Sequence, residues 1–128
     1  MTSETQQTNM FDYRSAQRVK SNDWVPFDAS ANGASKFDGD PQCEVRIDLA
    51  VDKIMAGEYR QRAGSFDINW SFTEHSFVLE GEVTITDLAT GKAVTYRPGE
   101  GWMIKAGSHT RWQVKQDGFR KSFFLVMT

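Results

Sequence analysis

The sequence predicts an all-β fold in which about nine short antiparallel strands form a barrel or sandwich. From residue 43 onward, apolar and polar residues alternate with a period of two, which is typical of strands that bury one face. Turn-forming residues recur at intervals of about 8–12 residues. Apart from a short stretch at residues 13–20, no segment has the sustained 3.6-residue apolar spacing of a helix, so no helical layer is available to cover a parallel sheet.

The chain divides into an N-terminal tail and one folded domain. Residues 1–9 are rich in Ser, Thr and Gln and lack large apolar side chains, so residues 1–22 are expected to form a partly disordered tail. Residues 23–128 are expected to form a single barrel domain. Within it, residues 23–27 have the character of a strand end or an arm, and residues 29–41, with two glycines and a proline, that of a loop.

The remaining strands follow from the alternation, beginning with Cys43, Val45, Ile47, Leu49 and Val51 on one face of the first. The full predicted set covers residues 43–51, 54–60, 66–72, 76–79, 83–85, 93–96, 102–104, 109–115 and 122–127.

Composition excludes several classes of function. The net charge of −2 gives no basic field that would gather nucleic acid or anionic lipid. There is no apolar run of about 18 residues, so no membrane partner is expected. The single cysteine, Cys43, has no partner for a disulfide and is expected to be a small buried side chain. The first residues lack an apolar signal-peptide core, so a cytoplasmic location is expected.

Three short segments carry a resemblance to the cupin superfamily. Glu74 precedes Gly81 by seven positions, which is similar to the segment in which the metal-binding Glu of a cupin precedes a turn glycine. Residues 98–102, Pro-Gly-Glu-Gly-Trp, resemble the cupin Pro-Gly-Asp turn. Residues 105–110, Lys-Ala-Gly-Ser-His-Thr, stand at the place of the cupin Pro-x-Gly-x-x-His.

Residues around these segments narrow the resemblance. Gly39-Asp40-Pro41 ahead of a strand and Trp112-Gln113-Val114 after the last motif resemble the small (S)-ureidoglycine aminohydrolase-type cupin domain, which also occurs in ethanolamine-utilisation proteins. The similarity extends over residues 39–128. It implies an antiparallel, jelly-roll-like cupin barrel, with a site built around Glu74 on one strand and a hairpin at residues 105–112 opposite.

The resemblance also implies a metal site, but most of its ligands are missing. No histidine occupies residues 67–70, and Thr110 stands at the position of the third imidazole, so Glu74 is the one expected metal ligand that remains. Because imidazoles supply most of the affinity for transition metals, the cofactor is left open: none, or a weakly bound divalent metal at Glu74. Strand alternation predicts that Glu74 faces the lumen and His75 faces away.

Other side chains complete the candidate site. His109 lies one residue before the ligand position, and a Glu74–His109 pair is the candidate for acid–base catalysis or metal binding. The remaining candidates for contact with a ligand are Asn69, Trp70, Phe72, Lys105, Thr110 and Trp112. The aromatic rings among them are equally typical of a hydrophobic core, and a lysine in a loop is commonly solvated.

Three functions remain open from the sequence. The first is binding of a small polar metabolite in the barrel lumen without the three-histidine metal set. The second is a metal- or acid–base-dependent enzyme acting on small nitrogenous or carboxylate metabolites, as the resemblance implies. The third is a structural or dimerisation module. Exposed strand edges and the nine Phe and four Trp residues make a homodimer the expected assembly.

Overall fold

The structure is a computed structural model in which residues 10–11 and 23–128 are described. The described residues form two antiparallel sheets that face each other, so the predicted all-β fold is confirmed. The predicted tail at residues 1–9 and the helical spacing at residues 13–20 lie outside the described part of the chain. No helix within that part is long and apolar enough to cross a membrane.

Eleven strands and one short 3-10 helix make up the described fold. In chain order the strands are β1 (Val25–Pro26), β2 (Ala34–Asp38), β3 (Glu44–Val51), β4 (Ile54–Gln61), β5 (Gly64–Asn69), β6 (Phe72–Glu80), β7 (Val83–Asp87), β8 (Ala93–Tyr96), β9 (Gly101–Ile104), β10 (His109–Val114) and β11 (Phe119–Met127). The 3-10 helix is Ser30–Asn32. One sheet has the order β1-β3-β4-β11-β6-β9, and the other has the order β2-β5-β10-β7-β8.

The first strands correct the prediction of a loop over residues 29–41. β2 pairs with β5 and joins the five-stranded sheet, although four of its five side chains are exposed. An edge strand with so little burial leaves no alternation of apolar and polar residues in the sequence. β1 pairs with β3, as the predicted strand end at residues 23–27 implied.

The predicted strand at residues 66–72 is confirmed as far as residue 69, but its continuation to residue 72 is wrong because the chain changes sheets there. β5 ends at Asn69 and β6 begins at Phe72. Between them, the Trp70 amide donates to Ser108 O at 2.9 Å, and the Gly107 amide donates to Trp70 O at 2.7 Å. These hydrogen bonds satisfy the backbone N–H and C=O groups of Trp70, although the residue belongs to neither sheet. The alternation of apolar residues runs through this crossing, so the sequence pattern does not mark where β5 ends.

The segment at residues 105–112 is not a hairpin. β9 pairs with β6, whereas β10 pairs with β5 and β7. The intervening loop therefore joins the two sheets at the same end as the crossing at Trp70. The side chains that face the space between the sheets come from strands of both sheets, and they form the hydrophobic core.

A buried cluster of charges lies on the other face of the six-stranded sheet. Glu58 and Tyr59 are consecutive residues of β4, so the Glu58 carboxylate is on the face opposite Tyr59. Glu58 accepts a hydrogen bond from Arg120 at 2.6 Å and forms an ion pair with Arg46 at 3.0 Å. The Trp24 ring stacks on the Arg46 guanidinium at 4.8 Å. Buried charges of this kind are retained only where partners satisfy them.

Candidate functional site

A cavity of about 300 Å³ lies between the two sheets. Its wall is made almost entirely of apolar side chains, and its charged members are Glu74 and Lys121. The lining residues are Phe27, Ala29, Asn32, Val45, Ile47, Met55, Tyr59, Phe66, Ile68, Trp70, Phe72, Glu74, Trp112, Lys121, Phe123, Leu125 and Met127.

Strand alternation places these side chains inside. On β11, Phe119, Lys121, Phe123 and Leu125 are all buried at every second position, while Phe124 between them is exposed. The sequence of this strand therefore puts a lysine into a row of apolar side chains.

Aromatic rings form much of the cavity wall. Trp112 stacks on Phe66, with ring centroids 6.3 Å apart and planes inclined by 16°. Trp70 meets Phe72 edge-on at 5.3 Å. Flat walls of this kind favour flat or apolar ligands, because such ligands cover ring surface that otherwise has no packing partner.

Lys121 and Glu74 form a buried ion pair inside this wall. Lys121 Nζ lies 2.7 Å from both Glu74 carboxylate oxygens, and the two side chains are 5% and 4% exposed. Trp102 Nε1 donates a third hydrogen bond to Glu74 Oε2 at 3.0 Å. The carboxylate is thus held by three donor contacts, which offset much of the cost of removing it from water.

The Lys121 ammonium is also enclosed by rings. Its Nζ lies 5.0 Å from the Trp112 ring centroid and 5.2 Å from that of Tyr59, with Trp102 and Phe123 slightly farther away. Burial lowers the pKa of Lys121 from its ordinary value, and the contact with Glu74 opposes this shift. The amine therefore gives up its proton more readily than a solvated lysine.

A neutral hydrogen-bond chain borders the ion pair. The Tyr59 hydroxyl donates to Gln61 Oε1 at 2.8 Å, and Trp112 Nε1 donates to the same oxygen at 2.8 Å. Cys43 Sγ lies 2.9 Å from the Tyr59 hydroxyl. Burial raises the pKa of Cys43 and raises that of Tyr59 well above its ordinary value, so both groups stay protonated and support the wall rather than act as nucleophiles.

Four of the predicted site residues line the cavity: Trp70, Phe72, Glu74 and Trp112. Glu74 faces inward and His75 is exposed, as strand alternation predicted. Thr110 is buried beside the cavity wall, where its hydroxyl accepts a hydrogen bond from Trp70 Nε1 at 2.9 Å. It therefore orients Trp70 and is not among the lining residues.

Three predicted site residues face away. His109 is exposed because side chains alternate along β10, where Thr110 and Trp112 point inward and His109 and Arg111 point outward. Asn69 pairs with His109 across the strands and shares its exposed face. Lys105 is exposed in the loop between β9 and β10. The structure therefore does not bring His109 to Glu74, and the predicted Glu74–His109 acid–base pair is wrong.

The donors around Glu74 do not fit a cupin metal. Lys121 Nζ occupies the position next to both carboxylate oxygens that a cation would take. Asp67 lies instead on the exposed face, where its carboxylate accepts a hydrogen bond from Arg111 at 2.8 Å. Among the described residues, no group of three or more His, Cys, Asp or Glu side chains is placed to hold a metal ion.

Sequence reasoning missed Lys121 and Tyr59. Lys121 was expected just before the last strand, but it lies within β11. The signal was present in the alternation of Phe119, Lys121, Phe123 and Leu125, which puts a charged residue among buried ones.

Comparison with known proteins assigns the family. The family of EutQ-like cupin domains matches residues 51–123, which is more than half of the chain. No curated protein matches the chain. Nothing in these comparisons supports the narrower resemblance to (S)-ureidoglycine aminohydrolase-type domains.

Solved structures share the fold at low sequence identity. The EutQ protein of Clostridium difficile is similar with a TM-score of 0.60 and 19% identity, over 69% of this chain and 64% of that protein, so this chain spans just under two thirds of its length. A putative ethanolamine utilization protein of Salmonella typhimurium has a TM-score of 0.55 and 17% identity, covering 67% and 69%. A protein of unknown function from Rhizobium leguminosarum has a TM-score of 0.62 and 14% identity, covering 94% and 100%. These structures support the fold, and with the match over residues 51–123 the chain belongs to the family of EutQ-like cupin domains.

Proposed function

We propose that the protein binds a small organic molecule with a flat, apolar body and one polar end in the cavity between the two sheets. The observation that carries this proposal is the wall itself, which is apolar except for a few polar groups and one buried ion pair. An apolar body would displace weakly held water from the wall, and the polar end would exchange hydrogen bonds with Lys121 or Glu74.

This ligand class differs from the small polar metabolite expected from the sequence. A small polar molecule would lose its hydration in the cavity and find few hydrogen-bond partners besides Lys121 and Glu74. The likeness to the EutQ structures supports the fold, and the ligand class is inferred from the lining of the cavity alone. The cytoplasmic location expected from the sequence is part of the proposal.

A homodimer is a second, independent proposal. Several apolar side chains on the outer face of the six-stranded sheet are exposed: Phe77, Met103, Phe124 and Val126. Phe124 pairs with His75 across the strands, and His75 pairs with Met103, so these side chains lie in neighbouring rows of one face. A contiguous apolar face of this kind is typical of a protein interface, and two copies related by a twofold axis would cover each other's patch.

The binding proposal is tested with benzyl alcohol, which has the proposed flat body and polar end, and with ethanolamine as a small polar comparison. Benzyl alcohol is expected to raise the melting temperature of the full chain, because it binds only the folded state. It is also expected to change the tryptophan fluorescence, because Trp70 and Trp112 line the cavity. Ethanolamine at the same concentration is expected to do neither.

Ala29→Leu supplies the control, since Ala29 lines the cavity and a larger side chain there would occupy part of its volume. This variant is expected to fold and to bind benzyl alcohol more weakly. A benzyl alcohol response that Ala29→Leu leaves unchanged, or the absence of any response in the natural chain, would overturn the proposal.

A further inference from the structure

Lys121 differs from every other described lysine in its surroundings. Lys36, Lys53, Lys92, Lys105 and Lys115 are exposed, whereas Lys121 is buried and lines the cavity. Its amine is the one primary amine of the described chain that a molecule in the cavity would meet.

Its surroundings supply what an amine needs to act as a nucleophile. A lysine amine attacks carbon only when it has lost its proton, and an apolar enclosure favours that uncharged form. Glu74, at 2.7 Å through both oxygens, is placed to receive the proton. Passing a proton from Lys121 to Glu74 turns two buried charges into two neutral groups, which the apolar wall tolerates better.

We propose that Lys121 captures small aldehydes or ketones inside the cavity as an imine, with Glu74 moving the proton; this inference rests on the proposed binding function. Carbonyl compounds with an apolar body match both parts of the site. The body packs against Trp112 and the other rings, and the carbonyl carbon is the electrophile that an uncharged amine attacks.

The step balances without a further reactant. Lys121 transfers a proton to Glu74, and its nitrogen lone pair then forms a bond to the carbonyl carbon. The carbonyl oxygen takes this proton back from Glu74, and the Glu74 carboxylate then accepts a second proton from the nitrogen, which gives a neutral carbinolamine. Glu74 returns that proton to the hydroxyl, the C–O bond breaks with release of one water molecule, and the C=N bond forms as a protonated imine paired with the Glu74 carboxylate. No oxidant or reductant is consumed.

Trp102 has a positioning role in this scheme. Its Nε1 donates to Glu74 Oε2 at 3.0 Å and fixes the carboxylate toward Lys121. The carboxylate therefore stays within reach of the nitrogen through both proton transfers.

The test uses benzaldehyde with the full chain and sodium cyanoborohydride, which reduces the imine to a stable secondary amine. Intact mass is expected to show one added benzyl group, and peptide mapping is expected to place it on Lys121. Labelling of Lys121 is expected to be faster than that of the exposed Lys105, because burial lowers the pKa of Lys121 and so favours its uncharged, nucleophilic amine.

Two variants and one competitor keep the result interpretable. Lys121→Arg keeps the charge beside Glu74 and is expected to remove the adduct, whereas Lys105→Arg is expected to leave it unchanged. Glu74→Gln is expected to slow labelling of Lys121 by about 100-fold, the lower end for loss of a general acid–base group. Excess benzyl alcohol, which has the same body and no carbonyl, is expected to protect Lys121 in the natural chain.

Labelling of exposed lysines with Lys121 unmodified would overturn the imine proposal, and this measurement needs no variant to fold. If benzyl alcohol still raises the melting temperature in that case, the binding function stands and only the carbonyl chemistry fails. If benzyl alcohol has no effect either, both proposals fail.

Discussion

Lys121 and Glu74 meet although they are far out of register on adjacent strands. Across β11 and β6, Lys121 lies opposite Val78, and Glu74 lies opposite Leu125. The two side chains therefore extend toward each other along the inside of the sheet, and Lys121 Nζ reaches both carboxylate oxygens at 2.7 Å. The shape of the polar part of the cavity depends on this diagonal contact.

The first prediction concerns the stability of the ion pair. Lys121→Met is expected to lower the free energy of unfolding by about 3–5 kcal/mol, because it leaves the Glu74 carboxylate buried without its cation. The double variant Lys121→Met with Glu74→Gln is expected to be more stable than the sum of the two single losses predicts. Urea denaturation of the four proteins measures this coupling.

The exposed pair of Arg62 and Asp117 provides the matched control, because each side chain is 60% exposed. Arg62→Met is expected to change the free energy of unfolding by less than about 1 kcal/mol. Additive losses at Lys121 and Glu74 would show that the two side chains do not depend on each other.

The second prediction concerns pH. Burial lowers the pKa of Lys121 below its ordinary value of 10.5, so between the folded-state pKa and 10.5 the unfolded chain binds more protons than the folded one. The free energy of unfolding of the natural protein should therefore rise with pH in this window relative to Lys121→Met. The gain is about 1.4 kcal/mol for each unit by which the folded-state pKa lies below 10.5.

Urea denaturation of the two proteins at several pH values between neutral and 10.5 measures this difference. Tyr59 and Cys43 remain in both proteins, so their own titration largely cancels in the comparison. A difference that falls as pH rises would mean that contact with Glu74, and not burial, dominates the pKa of Lys121.

Alternation within one strand predicted the correct face for Glu74 and His75, because that inference needs only the local backbone. The same alternation gave a wrong result at residues 70–72, where the chain passes from one sheet to the other. His109 and Asn69 were placed at the site through the position of a family motif, and an error of one residue moves a side chain to the other face. The crossing at Trp70 depends on its backbone bonds to residues 107 and 108, which are distant in sequence.

Lys121 was missed because the last strand was predicted to begin at residue 122, one residue after it. Burying Arg120 and Lys121 side by side is unfavourable unless each has its own partner. The structure sends Arg120 to Glu58 on one face and Lys121 to Glu74 on the other. These partners lie on strands that are distant in sequence, so the alternation within β11 marks Lys121 as inward-facing but does not identify Glu74 as its partner.

The third prediction concerns the charge cluster on the outer side of the six-stranded sheet. Glu58→Gln is expected to lower the free energy of unfolding by about 3–5 kcal/mol, because two buried guanidinium groups, those of Arg46 and Arg120, lose their shared carboxylate. Urea denaturation measures the loss.

Glu82→Gln is the control for this prediction, because Glu82 pairs with Arg97 at the surface, where both side chains are at least half exposed. Its effect is expected to stay below about 1 kcal/mol. Equal effects of Glu58→Gln and Glu82→Gln would show that the buried cluster adds nothing to stability beyond an ordinary surface pair.

The fourth prediction tests the proposed homodimer. Phe124 is 43% exposed on the outer face of β11, and His75 and Met103 lie beside it on the neighbouring strands. Phe124→Glu would place a carboxylate on each side of a twofold contact, so desolvation and like-charge repulsion should convert the dimer into a monomer. Sedimentation velocity is expected to show this change, whereas Leu88→Glu, which alters a comparably exposed apolar residue after β7 in the other sheet, should leave the dimer intact. A natural protein that sediments as a monomer, or a dimer that Phe124→Glu does not weaken, would contradict the assignment of this face.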